Sequence, residues 1–247
     1  MKIKTETLIA AIRKVGFVKT DDLARQLSVS PSSIRRKLVE MEKNGLVIRA
    51  HGGVKAVNDD MMNTSFTTRI HTNVLEKKLV VLKALKLVEE GNVIFIDPSS
   101  TTYFMTVYLA EFSNITVVTN GIDTLAALAE KGVRVISTGG TVAPDWPSIL
   151  VGTFAKNTVS EIHADICFFS VHGISDDGVI YDSCQENNEI VREMIRHSDK
   201  SVCLCDYTKF GKKAPYKLCD VADVDYIVSD RDPGESFEWS KDGRLIF

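Results

Sequence analysis

Clusters of hydroxyl and amide groups follow five apolar segments of the chain, and such groups can hold a phosphorylated small molecule. The first cluster, Ser99 to Thr102, offers hydroxyls and backbone N–H groups that could cradle a phosphate where a strand turns into a helix. Lys209 could supply the positive countercharge. Asp97 would repel a phosphate dianion, so it suits a sugar hydroxyl or an orienting role better. These residues predict an anion site.

The other clusters have the same position, directly after an apolar segment. One Ser/Thr cluster after a strand is often only a helix cap, but five such ends together favour a binding site. The predicted ligand-contacting residues are Asp97, Ser99, Ser100, Thr101, Thr102, Thr119, Asn120, Gly139, Gly140, His172, Gly173 and Lys209.

Three further residues could suggest acid–base catalysis. His172 could hydrogen-bond a ligand or simply form a pocket wall. Glu186 and Glu189 open a helix, where acidic residues often serve only as partners of the helix dipole. We assign no catalytic residue, no metal ligand and no cofactor.

Strands and helices alternate from Leu75 onwards, and the apolar segments VIFID, ITVVT, VRVIST, DICFFS, SVCLCD and DYIVS are nearly continuous. This pattern predicts an α/β domain with a parallel sheet covered on both faces. Its first helix should end at Gly91, and the spacing of its apolar residues predicts a buried face formed by Leu79, Leu82, Leu85 and Val88.

A second group of residues, between Ser28 and Gly53, could bind a polyanion. Ser30 can cap a helix and Pro31 suits its first turn. At 100° per residue Ile34, Leu38 and Met41 share one stripe. The next segment, LVIRAHGGV, reads as a strand, a basic turn and a return strand. With two helices before it, this order predicts a winged helix-turn-helix, a small α+β domain.

The winged-helix pose places the third helix in a DNA major groove. Ser32, Ser33 and Arg36 are then predicted to contact base edges, and the remaining polar residues to contact phosphates. The predicted DNA-binding residues are Ser30, Ser32, Ser33, Arg35, Arg36, Lys37, Arg49 and His51. The alternative is a protein-binding helical domain with a solvated basic face.

The charges are segregated along the chain. Residues 1 to 55 hold 12 Lys and Arg against 5 Asp and Glu, a net charge of +7, whereas the remainder holds 18 against 28, a net charge of −10. A cationic small domain fits a polyanionic partner such as double-stranded DNA. We therefore predict a DNA-binding domain at 1–56, a linker at 57–74 and a ligand-binding domain at 75–247. Met61, Met62 and Phe66 of the linker could dock on either domain.

Composition also excludes several classes of protein. No run of eighteen apolar residues is present and the start of the chain is charged, so we expect a cytoplasmic protein without membrane contact. Five cysteines without a CxxC motif argue against a disulfide framework and a zinc site. Cys203 and Cys205 are expected to be core thiols.

The chain resembles the DeoR family of bacterial transcriptional regulators over nearly its whole length. The motifs that carry the resemblance are LARQLSVSPSSIRRKL, RAHGG, IDPSSTT, VVTNG, STGGT, the glycines Gly173 and Gly178, and KFG at 209–211. The resemblance implies a sensor domain similar to ribose-5-phosphate isomerase but without enzyme activity. It also implies a repressor of a carbohydrate operon, assembled as a homodimer or homotetramer and released from its operator by a phosphorylated sugar.

Three positions depart from the family pattern. Pro98-Ser99-Ser100 stands where a glycine commonly follows the aspartate, Lys37 where the family commonly has aspartate, and His172 where it more often has a small or neutral residue. Two other functions stay open on the sequence alone. One is a sugar-phosphate isomerase-like enzyme fused to a DNA-binding domain, and the other is a constitutive DNA-binding oligomer whose pocket is vestigial.

Overall fold

The chain forms two compact units, Met1–Val74 and Leu75–Phe247. The computed structural model describes residues 8, 11–12, 15, 17–43, 47–50, 53–56, 66–234, 237, 239 and 243–247. No helix among these residues is long and apolar enough to cross a membrane.

The first unit is a small α+β unit with its own apolar core. Its strands are β1 (Phe17–Lys19), β2 (Val47–Ala50) and β3 (Gly53–Ala56), and its helices are α1 (Thr20–Gln26), α2 (Pro31–Lys43) and α3 (Phe66–Arg69). Leu8, Ala11, Ile12 and Val15 are also helical. Ile34, Leu38 and Met41 are buried against Leu8 and Leu23, which confirms the stripe predicted for α2. The short helix α3 lies within the segment predicted to be a linker.

The predicted wing is present as an antiparallel pair of strands. Val47 to Ala50 pair with Ala56 to Gly53, while His51 and the linker residues Met61 and Met62 lie outside the described part of the chain. A third strand, β1, was not predicted and pairs with the other side of β3. A Cβ on Gly53 would lie 2.4 Å from the Phe17 ring, so this pairing requires glycine at 53.

The second unit contains a seven-stranded sheet in which every pair of neighbours is parallel, in the order β15-β14-β12-β9-β4-β5-β6. Its strands are β4 (Val93–Ile96), β5 (Thr116–Thr119), β6 (Arg134–Ser137), β9 (Ile166–Ser170), β12 (Ser201–Leu204), β14 (Tyr226–Val228) and β15 (Leu245–Ile246). The α/β class with a parallel sheet is therefore confirmed.

Alternate strand residues enter two cores, one on each face of the sheet. Phe95 and Phe169 belong to one core, and Ile94 and Phe168 belong to the other. The helices of this unit are α4 (Val74–Ala84), α5 (Ile122–Glu130), α6 (Thr153–Ser160) and α7 (Gln185–Arg196). All five cysteines are free and buried, so the prediction of core thiols is confirmed.

Two smaller sheets were not predicted. The hairpin of β7 (Thr141–Ala143) and β8 (Trp146–Val151) follows β6, and a three-stranded antiparallel sheet joins β10 (Gly173–Ile174), β11 (Val179–Asp182) and β13 (Tyr216–Asp220). Phe210 forms an isolated bridge with Ile174, so the KFG segment lies beside β10.

The predicted buried face of α4 is wrong at Leu79 and Leu82, which are 49% and 46% exposed. Leu75, which was not part of the predicted face, is also exposed, at 73%. The helix ends at Ala84 and not at Gly91, and the two predicted residues beyond it do join the core, Leu85 partly buried and Val88 buried. The buried stripe of the helix is instead Lys77, Val80, Val81 and Ala84. Both stripes have helical spacing. The buried stripe contains the small Ala84, which lets the helix approach the sheet closely. It also contains Lys77, which reaches a polar partner described below.

Candidate functional site

The strand order reverses between β4 and β9, and polar residues gather at the carboxyl ends of these two strands. Asp97 follows β4 and Ser170 ends β9, and the Ser170 N–H donates to Asp97 Oδ2 at 3.1 Å. In open parallel sheets such a reversal opens a crevice in which ligands bind. This crevice is the candidate ligand site.

Asp97 is a fully buried carboxyl group that organises the following loop. Its Oδ1 accepts hydrogen bonds from the Ser99 N–H at 3.2 Å and from Thr102 Oγ1 at 2.7 Å. Burial raises the pKa of Asp97 to about 6, and the hydrogen bonds from Thr102, Ser170 and Ser99 oppose that rise. The Asp97 carboxylate therefore orients the loop that follows it, which is one of the two roles predicted for this residue.

In the loop after Asp97, some residues use their hydrogen-bonding groups to hold the shape of the loop, and others keep these groups free for a ligand. Ser99 Oγ accepts the Thr102 N–H at 3.2 Å and also lies 2.8 Å from Thr102 Oγ1. Among the described residues, the backbone N–H groups of Ser100 and Thr101 have no hydrogen-bond acceptor. Two adjacent N–H donors are thus free to receive an anion.

The element that follows this loop differs from the prediction. A regular helix was expected from Thr101, but the structure has two short 3-10 helices, Thr102–Val107 and Leu109–Glu111. Because so short an element has little macrodipole, the charge that would hold an anion here must come from side chains.

Two buried lysines supply that charge, and each contacts a different hydroxyl group of the loop. Lys209 Nζ lies 2.7 Å from Ser170 Oγ and 3.4 Å from Thr101 Oγ1. Lys77 Nζ lies 3.0 Å from Ser100 Oγ, and its side chain is only 1% exposed. We call the Ser100 and Thr101 N–H groups and hydroxyls, with the ammonium groups of Lys77 and Lys209, the phosphate cradle.

Sequence reasoning missed Lys77. The available signal was its helical spacing with Val80, Val81 and Ala84, which places a charged residue in an apolar stripe. A lysine in such a stripe is rarely buried without a polar partner. The leucine stripe has the same helical spacing and no charged residue, so it predicted the opposite face.

The end of β5 is tied to the first turn of α7. Asn120 Nδ2 donates to Asn187 Oδ1 at 2.9 Å and to the Leu150 carbonyl oxygen at 3.0 Å. Thr119 Oγ1 accepts the Gly121 N–H at 3.0 Å and so shapes the turn between β5 and α5. Asn187, a second missed residue, thus belongs to the same edge of the sheet as Asp97, because β4 and β5 are neighbours.

The remaining predicted ligand residues serve other contacts. Gly139 and Gly140 are exposed after the edge strand β6, and a Cβ on Gly140, at φ +108°, would lie 2.5 Å from the Val151 carbonyl oxygen. Gly173 has a packing role as well, since a Cβ there would lie 2.5 Å from the Lys212 carbonyl oxygen. Their contact with a ligand stays a prediction.

His172 lies between β9 and β10 and is half-buried. Its Nδ1 is 3.2 Å from Ser183 Oγ, so the ring is positioned from the segment before α7. Glu186 and Glu189 are exposed in the first part of α7, which suits dipole partners better than acid–base groups. The described residues contain no group of three His, Cys, Asp or Glu side chains that could hold a metal ion.

The predicted DNA-binding residues lie mostly on the exposed side of α2. Ser30 Oγ accepts the Ser33 N–H at 3.3 Å, which confirms its capping role, and it also contacts the Ser32 and Ser33 hydroxyls. Arg36 is exposed, and within the described part of the chain it makes no hydrogen bond or ion pair.

The other cations of this surface have acidic neighbours. Arg35 lies 3.4 Å from Asp21 of α1. Two further ion pairs are Lys37 with Glu40 at 2.7 Å and Arg49 with Glu42 at 3.5 Å. Of Arg35, Arg36 and Lys37, therefore, Arg36 is the cation that needs no rearrangement before it meets a new partner.

Two family models match the chain. Residues 5–60 match the DeoR-like helix-turn-helix domain, and residues 72–231 match the DeoR C terminal sensor domain. The L-fucose operon activator of Haemophilus influenzae is 31% identical over 232 residues, which cover 94% of this chain and 92% of the relative. The glycerol-3-phosphate regulon repressor of Escherichia coli is 28% identical over 227 residues, covering 92% and 89%.

A structure of D-ribose-5-phosphate isomerase in complex with phospho-erythronic acid matches 54% of this chain and 52% of its own, at 16% identity and a TM-score of 0.42. The relatives that align over nearly the whole chain are regulators of transcription and not enzymes. The prediction of a DNA-binding regulator is thereby confirmed and the fused enzyme is not supported. The chain belongs to the DeoR family of transcriptional regulators.

Proposed function

We propose that the protein is a repressor of an operon for carbohydrate uptake or catabolism, released from its operator by a phosphorylated sugar. The observation that carries the sensing half is the convergence of two buried ammonium groups and two free N–H groups on one loop. The relatives described above regulate an L-fucose operon and a glycerol-3-phosphate regulon, which supports a carbohydrate-derived effector.

A phosphate dianion fits the cradle better than a carboxylate or a neutral sugar. Two lysines provide countercharge, and the Ser100 and Thr101 groups provide short-range donors. Asp97 does not oppose this assignment, because both of its oxygens already accept hydrogen bonds from the loop and from β9. The groups left to hold a phosphate are therefore the Ser100 and Thr101 donors and the two ammonium groups.

On the DNA side, we propose that Ser32, Ser33 and Arg36 contact base edges in the major groove. Arg36 is exposed and unpaired within the described residues, so its guanidinium can form a two-pronged contact with guanine. Ser30, Arg35, Lys37, Arg49 and His51 are proposed to contact phosphates or to support the helix that does. We also propose that the protein works in the cytoplasm, where it would meet operator DNA.

We further propose that the repressor acts as a homodimer or homotetramer. Two recognition helices on adjacent half-sites gain affinity that one small winged helix lacks. Support comes from α4, where Leu75, Leu79 and Leu82 form an exposed stripe with i, i+4, i+7 spacing. A stripe of this kind can pack against the same stripe of a second copy.

The test is operator binding with and without a panel of triose, pentose and hexose monophosphates. The operator can be found by selecting bound fragments from genomic DNA. We expect one or a few of these compounds to lower operator affinity at least tenfold, and the variant Lys209→Met to lose that response while it keeps operator binding. If no sugar phosphate changes operator affinity or raises the melting temperature, the sensing half is wrong.

A further inference from the structure

Several buried polar side-chain atoms of the second unit have no hydrogen-bond partner among the residues that the structure describes, Ser229 Oγ and Trp239 Nε1 among them. Four of these atoms lie on two asparagines and a threonine: Asn120 Oδ1, Thr124 Oγ1, and the Oδ1 and Nδ2 atoms of Asn188. All three side chains are at most 1% exposed, so bulk water does not satisfy these atoms. Because an unsatisfied buried polar group is costly, such a set needs a functional or structural reason.

Two of these side chains border the loop that carries the phosphate cradle. Asn120 follows β5, whose neighbour β4 leads into Asp97. A Cβ on Gly121 would lie 3.0 Å from the Pro98 Cα and 3.2 Å from Thr124 Oγ1. The turn Asn120-Gly121 and the first turns of α5 therefore pack directly against the start of the cradle loop.

Hydrogen bonds fix the orientation of the Asn120 amide. Its Nδ2 donates to two acceptors, Asn187 Oδ1 and the Leu150 carbonyl, so the remaining atom of the amide is the oxygen. The bond to Asn187 also holds the first turn of α7 at this edge of the sheet. Asn188 is the next residue of that turn, and its backbone N–H is already used by the Cys184 carbonyl.

The chemistry of the four atoms is that of a partner rich in hydroxyl groups. Asn120 and Asn188 offer acceptors, Asn188 offers a donor, and the Thr124 hydroxyl can do either. None of these groups is charged, so the set does not suit a carboxylate or a second phosphate. A sugar hydroxyl both donates and accepts, so it can pair with the amide oxygens, with the amide N–H groups and with the threonine hydroxyl.

We propose that Asn120, Thr124 and Asn188, the amide cluster, contact the hydroxyl groups of a monophosphorylated sugar or polyol and so determine which phosphate ester the protein accepts. This assignment rests on the proposed function, since it requires the phosphate end to occupy the cradle. The cradle supplies affinity for any phosphate monoester, and the amide cluster supplies the preference among them.

The experiment compares the full-length protein with Asn188→Leu and Thr124→Val, two near-isosteric changes that remove only the unsatisfied groups. Thermal shifts are measured with triose, pentose and hexose monophosphates and with inorganic phosphate as the reference. We expect the free variants to melt at or above the wild-type temperature. Their preference for the best sugar monophosphate over inorganic phosphate should fall at least tenfold, while the affinity for inorganic phosphate stays within about twofold of wild type.

Asn157→Leu, on the exposed side of α6, is the matched control and should leave both quantities unchanged. An undiminished preference in both Asn188→Leu and Thr124→Val overturns the amide cluster while leaving the sensing function in place. A lower melting temperature of both free variants also overturns it, because it would show that ordered water makes these atoms structural. If no sugar monophosphate stabilises the wild type, the proposed function itself fails and this assignment fails with it.

Discussion

Lys77 Nζ donates to Ser100 Oγ at 3.0 Å, so the first helix of the sensor unit contacts the phosphate cradle directly. This helix, α4, begins at Val74, the last residue of the first unit. The side chain that contacts the cradle therefore belongs to the element through which the chain enters the sensor.

Replacing Lys77 by Met should weaken effector binding without weakening operator binding. Methionine fills the space of the alkyl stem but removes the ammonium, and a hydrogen bond from a charged group is worth about 1.5–3 kcal/mol, or roughly 10- to 150-fold in affinity. Calorimetry with the active sugar phosphate measures the loss. Lys78→Met, on the exposed side of the same helix, is the control, and an equal loss in both variants would contradict a specific role for Lys77.

Replacing Arg36 by Ala should relax sequence preference, because this residue is proposed to read a base edge. We expect a loss of about 1–3 kcal/mol on the operator and little change on unrelated DNA. Arg35→Ala should instead weaken binding to both and reduce the salt dependence by about one ion, since Arg35 is proposed to contact a phosphate. Titrations at several salt concentrations separate the two, and interchangeable behaviour would show that the groove assignment is wrong.

Replacing Asp97 by Asn should change how stability depends on pH. Burial raises the pKa of Asp97 from its ordinary 3.8 to about 6, so the folded state holds this proton more tightly than the unfolded state does. The stabilisation relative to Asp97→Asn is fully present below pH 3.8 and is lost as the pH rises through about 6, which amounts to roughly 3 kcal/mol. Denaturant unfolding at a series of pH values measures it. A wild-type advantage that grows between pH 4 and 7 is incompatible with the raised pKa.

Replacing Leu79 by Glu should dissociate the proposed homodimer or homotetramer. In the oligomer the interface between leucine stripes would have to bury the new carboxylate, which is costly. In a monomer the side chain at position 79 is half-exposed, so a charge there is tolerated. Sedimentation velocity of the variant should show a smaller species with an unchanged circular dichroism spectrum. Val142→Glu, at a similarly exposed position on β7, is the control, and an unchanged mass for Leu79→Glu would place the interface elsewhere.

Periodicity predicted the elements that bury one unambiguous apolar face. The stripe of Ile34, Leu38 and Met41 has no competitor on α2, and the nearly continuous apolar segments predict buried strands, as β9 and β12 are, although the edge strand β6 is only partly buried. Helix α4 has two stripes of comparable hydrophobicity, and the contact of Lys77 with Ser100, which no local pattern encodes, accompanies the second. The sequence therefore predicted the existence of α4 and not its orientation.

The candidate site was predictable only in part for a similar reason. Strand ends in a parallel sheet must meet at one edge, so the location of Ser99 to Thr102 and Lys209 in a common region could be inferred. Hydrogen bonds within the protein determine which of these groups remain free to contact a ligand. Asn187 and the free N–H groups at Ser100 and Thr101 became apparent only from those bonds, which join residues distant in the chain.

The bond between Asp97 and Ser170 joins residues 73 positions apart, at the point where the two halves of the sheet meet. Such a contact forms late in folding, because the entropy cost of closing a long loop opposes its formation. On the ribosome the N-terminal unit is synthesised first and can fold as a unit before β9 exists. A newly made chain would thus acquire its means of holding DNA before its means of sensing sugar, and each molecule would begin its life unable to respond.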